Sequence, residues 1–482
     1  MDISVIGRKL ARFPPFIQNL VLSGLIAFAA SPAGLILGYL LDLSNRLCTP
    51  HPLAAPEEVS KDDLDSVSYE GINMLNAIPR DATHKGYAVI GGSGFVGRFI
   101  VKLLLLRGET NIRVLDLVPP PEDIAENPSV SFVKMDMTSL QSVKDGLSLP
   151  FPSTGAPPDV IFHTAAIIRF WERFSYTWLA SYDVNVRGTD NILKAASELP
   201  GETVLIYTST ADLSFPRPQF MQIGKDWEQP PRHKVVVSDD DAPLDGSHLS
   251  DGCYARSKLL AEKLVTKADG DGLKTAIIRP GQYVPPFCLP VQHAGLEVDC
   301  SLTMPRVPLF DKRWSHTDIC VWDAAAAHLC LEDALQRSPE DVRGETFLVT
   351  SEGPAWTMQA CRDALQHYSS RTLPYEDVQP LLIFVLAHAI ELFLLVRYYV
   401  LLPFFFLLGS RPRLTPTWMG ELIYLQPTTL EYMRDVVIDD ARARKLIGYR
   451  PQWRTAQIVK YTVDQIESGK APASHGLQLK QE

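Results

Sequence analysis

A tyrosine and a lysine stand four residues apart in Asp251-Gly252-Cys253-Tyr254-Ala255-Arg256-Ser257-Lys258, and the apolar pattern continues as a helix through Leu264. On a helix this spacing puts Tyr254 and Lys258 on one face. A nearby ammonium lowers a phenol's pKa, so such a pair can take or give a proton near neutral pH. The same spacing also describes an ordinary solvated helix face. Position decides between the two. Upstream, the apolar run Val204-Leu205-Ile206-Tyr207 ends in Thr208-Ser209-Thr210-Ala211. Open parallel sheets carry their chemistry at the carboxyl ends of strands. A hydroxyl from Thr210 or Ser209 there can hold a reacting oxygen while Tyr254 exchanges its proton; turn or helix capping is the ordinary alternative.

A second constellation is Tyr87-Ala88-Val89-Ile90 followed by Gly91-Gly92-Ser93-Gly94-Phe95-Val96-Gly97 and an apolar-faced helix. A strand, a glycine turn and a helix in that order suit a dinucleotide. Gly91 permits the tight turn, Gly94 admits a pyrophosphate to the helix N-terminus, and Gly97 allows close helix–strand packing. The backbone of Phe95 and Val96 opens that helix. The next predicted strand, Ile112-Arg113-Val114-Leu115, ends at Asp116 about 20 residues on, as the fingerprint expects. A carboxylate there accepts hydrogen bonds from the adenosine ribose and repels a 2′-phosphate. No arginine follows it, so the expected cofactor is NAD rather than NADP.

These groups need a scaffold. From Lys85 onward short apolar runs alternate with amphipathic helical stretches, which predicts an α/β doubly wound parallel sheet of the Rossmann type. A net charge of −10 over 482 residues excludes a nucleic-acid partner of the usual basic kind. Seven scattered cysteines, with no Cys-x-x-Cys, read as reduced thiols rather than a disulfide framework or a metal site.

Two stretches stand apart by composition. No charged residue occurs from Phe13 to Leu41, behind Arg8, Lys9 and Arg12. The run is long enough to span a bilayer, but Ser31-Pro32-Ala33-Gly34 breaks it, which favours a hairpin or an interfacial helix over one straight span. A straight span with a basic N-terminal flank would also send a cytosolic enzyme across the membrane. The second stretch runs from Val378 to Leu408, interrupted only by Glu391 and Arg397, with Pro403 inside it. It reads as a helix or hairpin docked in the membrane, a buried helix pair being the alternative.

The expected organisation is an N-terminal anchor (1–50), a linker (51–84) and an NAD-binding domain with the catalytic residues (85–280). A smaller substrate-binding part (281–376), a membrane-associated segment (377–412), the remainder of the substrate domain (413–470) and a disordered tail (471–482) follow.

With these residues in order, the chain resembles an extended short-chain dehydrogenase, specifically the 3β-hydroxysteroid dehydrogenase family, from about Lys85 to Tyr461. Val133-Lys134-Met135-Asp136-Met137 is similar to the segment whose aspartate contacts adenine, and Val160 to Ala166 to the strand end flanking the cofactor through Ala165 and Ala166. Asn185-Val186-Arg187-Gly188-Thr189 resembles the helix whose asparagine supports the site, and Ile278-Arg279-Pro280-Gly281 the strand leading under the nicotinamide. The resemblance implies Thr210 in the Ser/Thr position, Tyr254 as acid/base and Lys258 on the nicotinamide ribose. A polar insertion from about Arg217 to Asp245 and the N-terminal anchor depart from the family pattern and bear on substrate shape.

Within that family the apolar segment and the closing Lys445-Leu446-Ile447-Gly448-Tyr449-Arg450-Pro451 resemble sterol-4α-carboxylate 3-dehydrogenases of the decarboxylating kind. That implies oxidation of a 3β-hydroxyl on a sterol or triterpenoid, with C4 decarboxylation where a carboxyl is present. It also implies a membrane-bound enzyme of the endoplasmic reticulum facing the cytosol, with a second copy or other biosynthetic enzymes as partners. The alternatives are a dehydrogenase that also isomerises the ring double bond, an NADPH-dependent reductase (disfavoured by Asp116) and a catalytically silent NAD-binding scaffold.

Overall fold

The computed structural model describes residues 15–47, 58–217, 236–239, 249–283, 307–308, 314–370, 372–373, 377–378, 380–431 and 435–468. Arg8, Lys9 and Arg12, nearly all of the polar insertion and the tail lie outside the described residues.

Seven strands form the central sheet: β1 (Tyr87–Ile90), β2 (Ile112–Asp116), β3 (Val130–Lys134), β4 (Val160–His163), β5 (Thr203–Thr208), β6 (Leu273–Pro280) and β7 (Thr346–Val349). All pairings are parallel, and the spatial order is β3-β2-β1-β4-β5-β6-β7. Strand alternation divides the core between two faces. Tyr87, Val89, Phe162, Ile206 and Ile278 face helices α3 (Phe95–Arg107) and α7 (Val321–Arg337). Ala88, Ile90, Ile161, Leu205 and Ile277 face α4 (Leu140–Ser148), α5 (Thr189–Ser197) and α6 (Cys253–Ala268). Helices on both faces explain why β1, β4 and β5 are buried along their whole length and read as unbroken apolar runs.

Two expected boundaries change. The stretch read as a linker is part of the fold from residue 58 onward. Leu64, Met74, Ala77 and Ile78 are buried in the main core, and Tyr69 donates from its hydroxyl to Asp464 Oδ2 at 2.8 Å. Its polar composition hid the few apolar contacts that dock it. Likewise β7 and α7, within the stretch assigned to the substrate part, complete the Rossmann sheet and its cover.

The first apolar stretch forms two helices, α1 (Pro15–Ala29) and α2 (Pro32–Leu47), packed against each other across the expected break. Ser31 Oγ accepts from Gly34 N at 3.1 Å, and a Cβ on Gly34 would lie 2.0 Å from Phe28 O. The second forms one 28-residue helix, α8 (Pro380–Leu407), with Pro403 inside it. At 1.5 Å per residue it is about 42 Å long. Among the described residues α8 is the one helix long and apolar enough to cross a membrane, and α2 packs against it.

Behind the sheet Arg107 is wedged between two carboxylates, with Nε 2.9 Å from Glu109 Oε1 and Nη1 2.9 Å from Glu332 Oε2. Its Nη2 donates to the Tyr87 hydroxyl at 2.6 Å. All three ionic side chains are essentially without solvent exposure. Breaking a buried network leaves an uncompensated charge, so Arg107→Met is expected to destabilise the fold by about 3–5 kcal/mol. Urea denaturation of the variant, and of Arg107→Met with Glu332→Leu (expected to recover part of the loss), checks this.

Candidate active site

The sheet order reverses between β1 and β4, and the groups singled out in the sequence converge on the carboxyl ends of the strands around that crevice. Gly91 leaves β1 at φ +80°, and a Cβ there would sit 2.6 Å from Ala165 N and 2.8 Å from Thr164 Oγ1. Both the turn and the approach of the β4 end therefore require glycine. Thr164 N and Ala165 N donate to Ile90 O at 2.9 and 3.1 Å, locking the Thr164-Ala165-Ala166 segment against the loop. A Cβ on Gly97 would fall 2.2 Å from Gly91 O, so the first turn of α3 lies directly under the glycine turn.

Gly94 begins α3 without a side-chain cap. First-turn N–H groups are orphaned in any helix, and a start beginning Phe95-Val96-Gly97 with no capping side chain suits a pyrophosphate. At the end of β2 Asp116 accepts from Ser93 N through Oδ2 at 3.1 Å and from Leu117 N through Oδ1 at 2.7 Å. Burial raises its pKa while those amides pull it down. Asp136, just beyond β3, is exposed and accepts from Thr138 N and Oγ1 at 2.9 and 2.7 Å. Pro280 ends β6 on the far side of the crevice, followed by Gly281, whose N–H donates to Val349 O at 2.9 Å. The glycine loop, Asp116 and the β4 end thus form a cradle that fits a dinucleotide on this chain's own geometry.

The catalytic candidates occupy the end of β5. Lys258 is 2% exposed. Its Nζ donates to Thr208 O at 2.8 Å and lies 4.6 Å from the Tyr207 ring centroid and 6.0 Å from that of Tyr254. Thr210 Oγ1 donates to Asp212 Oδ2 at 2.9 Å, and this hydroxyl stands near enough to Tyr254 to oppose the rise in its pKa. The helix α6 therefore sets the phenol beside Thr210 and drops the ammonium onto the β5 backbone.

The simple pairing of ammonium with phenol is corrected here. Burial pushes Tyr254 up, Asp212 adds to this, and the Thr210 hydroxyl opposes both. Lys258 is lowered to about 7 by burial, with Glu262 in partial opposition. Helical spacing puts two side chains on one face, yet the ammonium lies 6.0 Å from the centre of the phenol ring once the lysine turns toward the sheet.

Support comes from behind. Asn185 lies in a π-helical turn, Tyr182–Gly188, and clamps Ile167: its Oδ1 accepts from Ile167 N and its Nδ2 donates to Ile167 O, both at 2.9 Å. The same Nδ2 reaches Ser257 Oγ at 2.9 Å, and Ser257 Oγ donates to Tyr254 O at 2.7 Å. Arg279 holds Glu262 of α6 at 2.9 and 2.6 Å and Ser214 at 3.0 Å, tying β6, α6 and the turn after Thr210 together.

Sequence reasoning did not find Asp212, Arg279 with Glu262, or His328. The last has Nδ1 2.7 Å from Ala324 O, so Nδ1 carries the proton and Nε2 accepts from the Thr208 hydroxyl at 2.7 Å. These partners are up to 120 residues apart, and no local pattern in the sequence joins them. Ser209 is buried, with its Oγ unpaired, and Thr210 is the hydroxyl that meets Tyr254.

Residues 88–370 match the model of the 3-beta hydroxysteroid dehydrogenase/isomerase family. The chain belongs to this family. Within it, a decarboxylating sterol-4-alpha-carboxylate 3-dehydrogenase of Candida albicans is 26% identical over 78% of this chain and 96% of its own length. A 3 beta-hydroxysteroid dehydrogenase/Delta 5→4-isomerase of Vaccinia virus is 33% identical over 56% of this chain and 72% of its own. The fold is shared with a UDP-glucose 4-epimerase of Stenotrophomonas maltophila solved with bound NAD, at TM-score 0.53 and 16% identity over 80% of this chain and 99% of that one. As a member of the 3β-hydroxysteroid dehydrogenase family, the chain is an NAD-dependent oxidoreductase acting on a CH–OH group.

The depressed Lys258 fixes a stability trend. In the folded, cofactor-free protein its proton leaves near pH 7, whereas an ordinary lysine holds it to about 10.5. Between those values the unfolded chain binds more protons, so stability rises with pH. Lys258→Met removes that term. Its thermal stability relative to the wild type is expected to be most favourable below pH 7, the gap narrowing toward pH 10. Tm values of both proteins across that range decide it; a constant gap contradicts the assignment.

Proposed function

We propose that the enzyme oxidises the 3β-hydroxyl of a sterol or triterpenoid carrying a C4 carboxyl group, and that CO₂ is then lost from C4. The observation that carries this reading is the meeting of Thr210, Tyr254 and Lys258 at the end of β5, beside the glycine cradle. NAD, when bound by Gly91, Gly94, Gly97, Asp116 and the Ala165–Ala166 segment, supplies the hydride acceptor. With the cofactor in place, the Lys258 ammonium turns from Thr208 O to the cofactor ribose and to Tyr254 Oη, where it stabilises the phenolate left once the phenol has given its proton to solvent. That phenolate takes the proton of the substrate hydroxyl, which Thr210 holds. The β-keto acid product has a carbonyl that accepts the electrons released as CO₂ leaves, so decarboxylation needs no further catalytic group. The name of the Candida albicans relative supports this substrate class. The viral relative's name favours a second reading, oxidation followed by double-bond isomerisation.

The reading extends to the membrane. Leu382, Val385, Leu392 and Val396 on α8, with Leu35 and Ile36 on α2, are exposed apolar side chains on two helices that pack together. Such a surface has its natural partner in lipid. A paired α1–α2 keeps both ends on one side, which is compatible with a catalytic domain on the cytosolic face of the endoplasmic reticulum.

Membranes bearing the protein, given NAD and a panel of 3β-hydroxysterols with and without a 4-carboxyl group, test the chemistry. Expected products are the 3-ketone from every accepted sterol and loss of CO₂ only where the carboxyl was present. A shifted double bond instead supports the second reading. Tyr254→Phe is expected to lower kcat by at least 10²-fold, the scale of general acid–base catalysis, with NAD binding retained. Full activity in that variant rules the mechanism out. Asp116→Ala is expected to weaken NAD binding and narrow the preference over NADP, read by titrating both cofactors.

A further inference from the structure

Glu391 is the sole carboxylate in α8, and an anchor has no use for it. The helix explains it by its two faces. Ile383, Ala387, Ile390, Leu394 and Tyr398 are buried, a stripe at helical spacing that packs α8 on Met419, Leu425 and Leu430 and, through Tyr398, on Tyr176 of the catalytic domain. Glu391 sits in that stripe, 5% exposed, and meets Arg173 in a bidentate pair: Nε to Oε1 at 2.6 Å and Nη2 to Oε2 at 2.5 Å. Tyr398 stacks on Tyr176 at 4.5 Å beside it.

Arg173 closes the segment that follows β4. One end of that segment is pinned by Asn185 at Ile167. Within it Arg169 pairs with Glu172, and Glu172 O accepts from Cys253 N at 2.6 Å. Cys253 is the first residue of α6 and the neighbour of Tyr254. A second limb reaches the same point. Leu430 packs on Ile383 and Ala387; next to it Glu431 Oε2 accepts from Ser250 Oγ at 2.5 Å, and Ser250 Oγ accepts from Gly252 N at 3.1 Å. Both limbs start on α8 and end on the backbone that carries Tyr254.

We propose that Glu391 and Arg173 are positioning residues for Tyr254: the seating of α8 on the catalytic domain sets the start of α6, so the helix that meets lipid also sets the reaction rate. The proposal rests on the sterol-oxidation reading for its kinetic arm and on the membrane reading for the lipid contact of α8.

Glu391→Leu separates positioning from anchoring, because it makes α8 more apolar while removing the joint. Its kcat is expected to fall by about ten- to a hundredfold, the cost of a small misplacement of a catalytic group, with the KM for NAD and sedimentation with phosphatidylcholine vesicles unchanged. The swap Arg173→Glu with Glu391→Arg is expected to restore most of the rate. Independently of activity, hydrogen–deuterium exchange of a peptide spanning 250–258 is expected to rise in Glu391→Leu and return in the swap. Unchanged exchange there, or an unchanged kcat with vesicle binding retained, overturns the proposal and leaves α8 as an anchor only. If the wild type oxidises none of the sterols, the functional reading falls and the exchange result alone decides positioning.

Discussion

Where β1 gives way to α3, the backbone of Gly91 passes so close to the end of β4 that a single methyl group would overlap Ala165 N. Everything else at the site is arranged around that approach. It fixes the distance between the two halves of the sheet at the point where strand order reverses, and with it the crevice that receives a dinucleotide. It also orients the β4 extension, from Thr164 to Arg173, which runs from the cofactor side to the start of α6. A looser turn at residue 91 would move both the phosphate cradle and the support of the catalytic tyrosine.

The catalytic corner is braced by buried polar groups with partners across the sheet, Ser209 Oγ and the Tyr207 hydroxyl excepted. Thr208 holds His328 through its hydroxyl and Lys258 through its carbonyl. Asn185 braces Ile167 and Ser257 at once. Glu262 and Arg279 fasten α6 to β6. In a low-dielectric interior such braces hold one geometry, which is what a tyrosine exchanging a proton with a single oxygen requires.

Much of this was legible before the fold was known. The glycine loop, Asp116, the β5 end and the Tyr254/Lys258 spacing are local patterns, and the sheet that joins them follows from apolar runs alternating with amphipathic helices. What was hidden is non-local. Thr346–Val349 is too short and too distant in sequence to be assigned to the sheet by pattern. The polar stretch before Lys85 docks through only a few apolar side chains, and composition outvoted them. Burial turned Lys258 toward Thr208 O, a choice among rotamers that spacing alone cannot specify. Glu391 was visible as an oddity, but its partner lies 218 residues away.

The place of α8 within the chain has a consequence for how the protein can be trimmed. After this helix the polypeptide returns to the interior: the Tyr449 hydroxyl donates to Thr350 O at 2.8 Å, and Trp453 and Val459 are buried in the main core. The apolar helix is therefore an insertion between two parts of one folding unit, not a detachable tail. An early stop ahead of residue 380 would strip the core of its closing segment, so the helix cannot be removed by trimming the C-terminus without losing part of the fold.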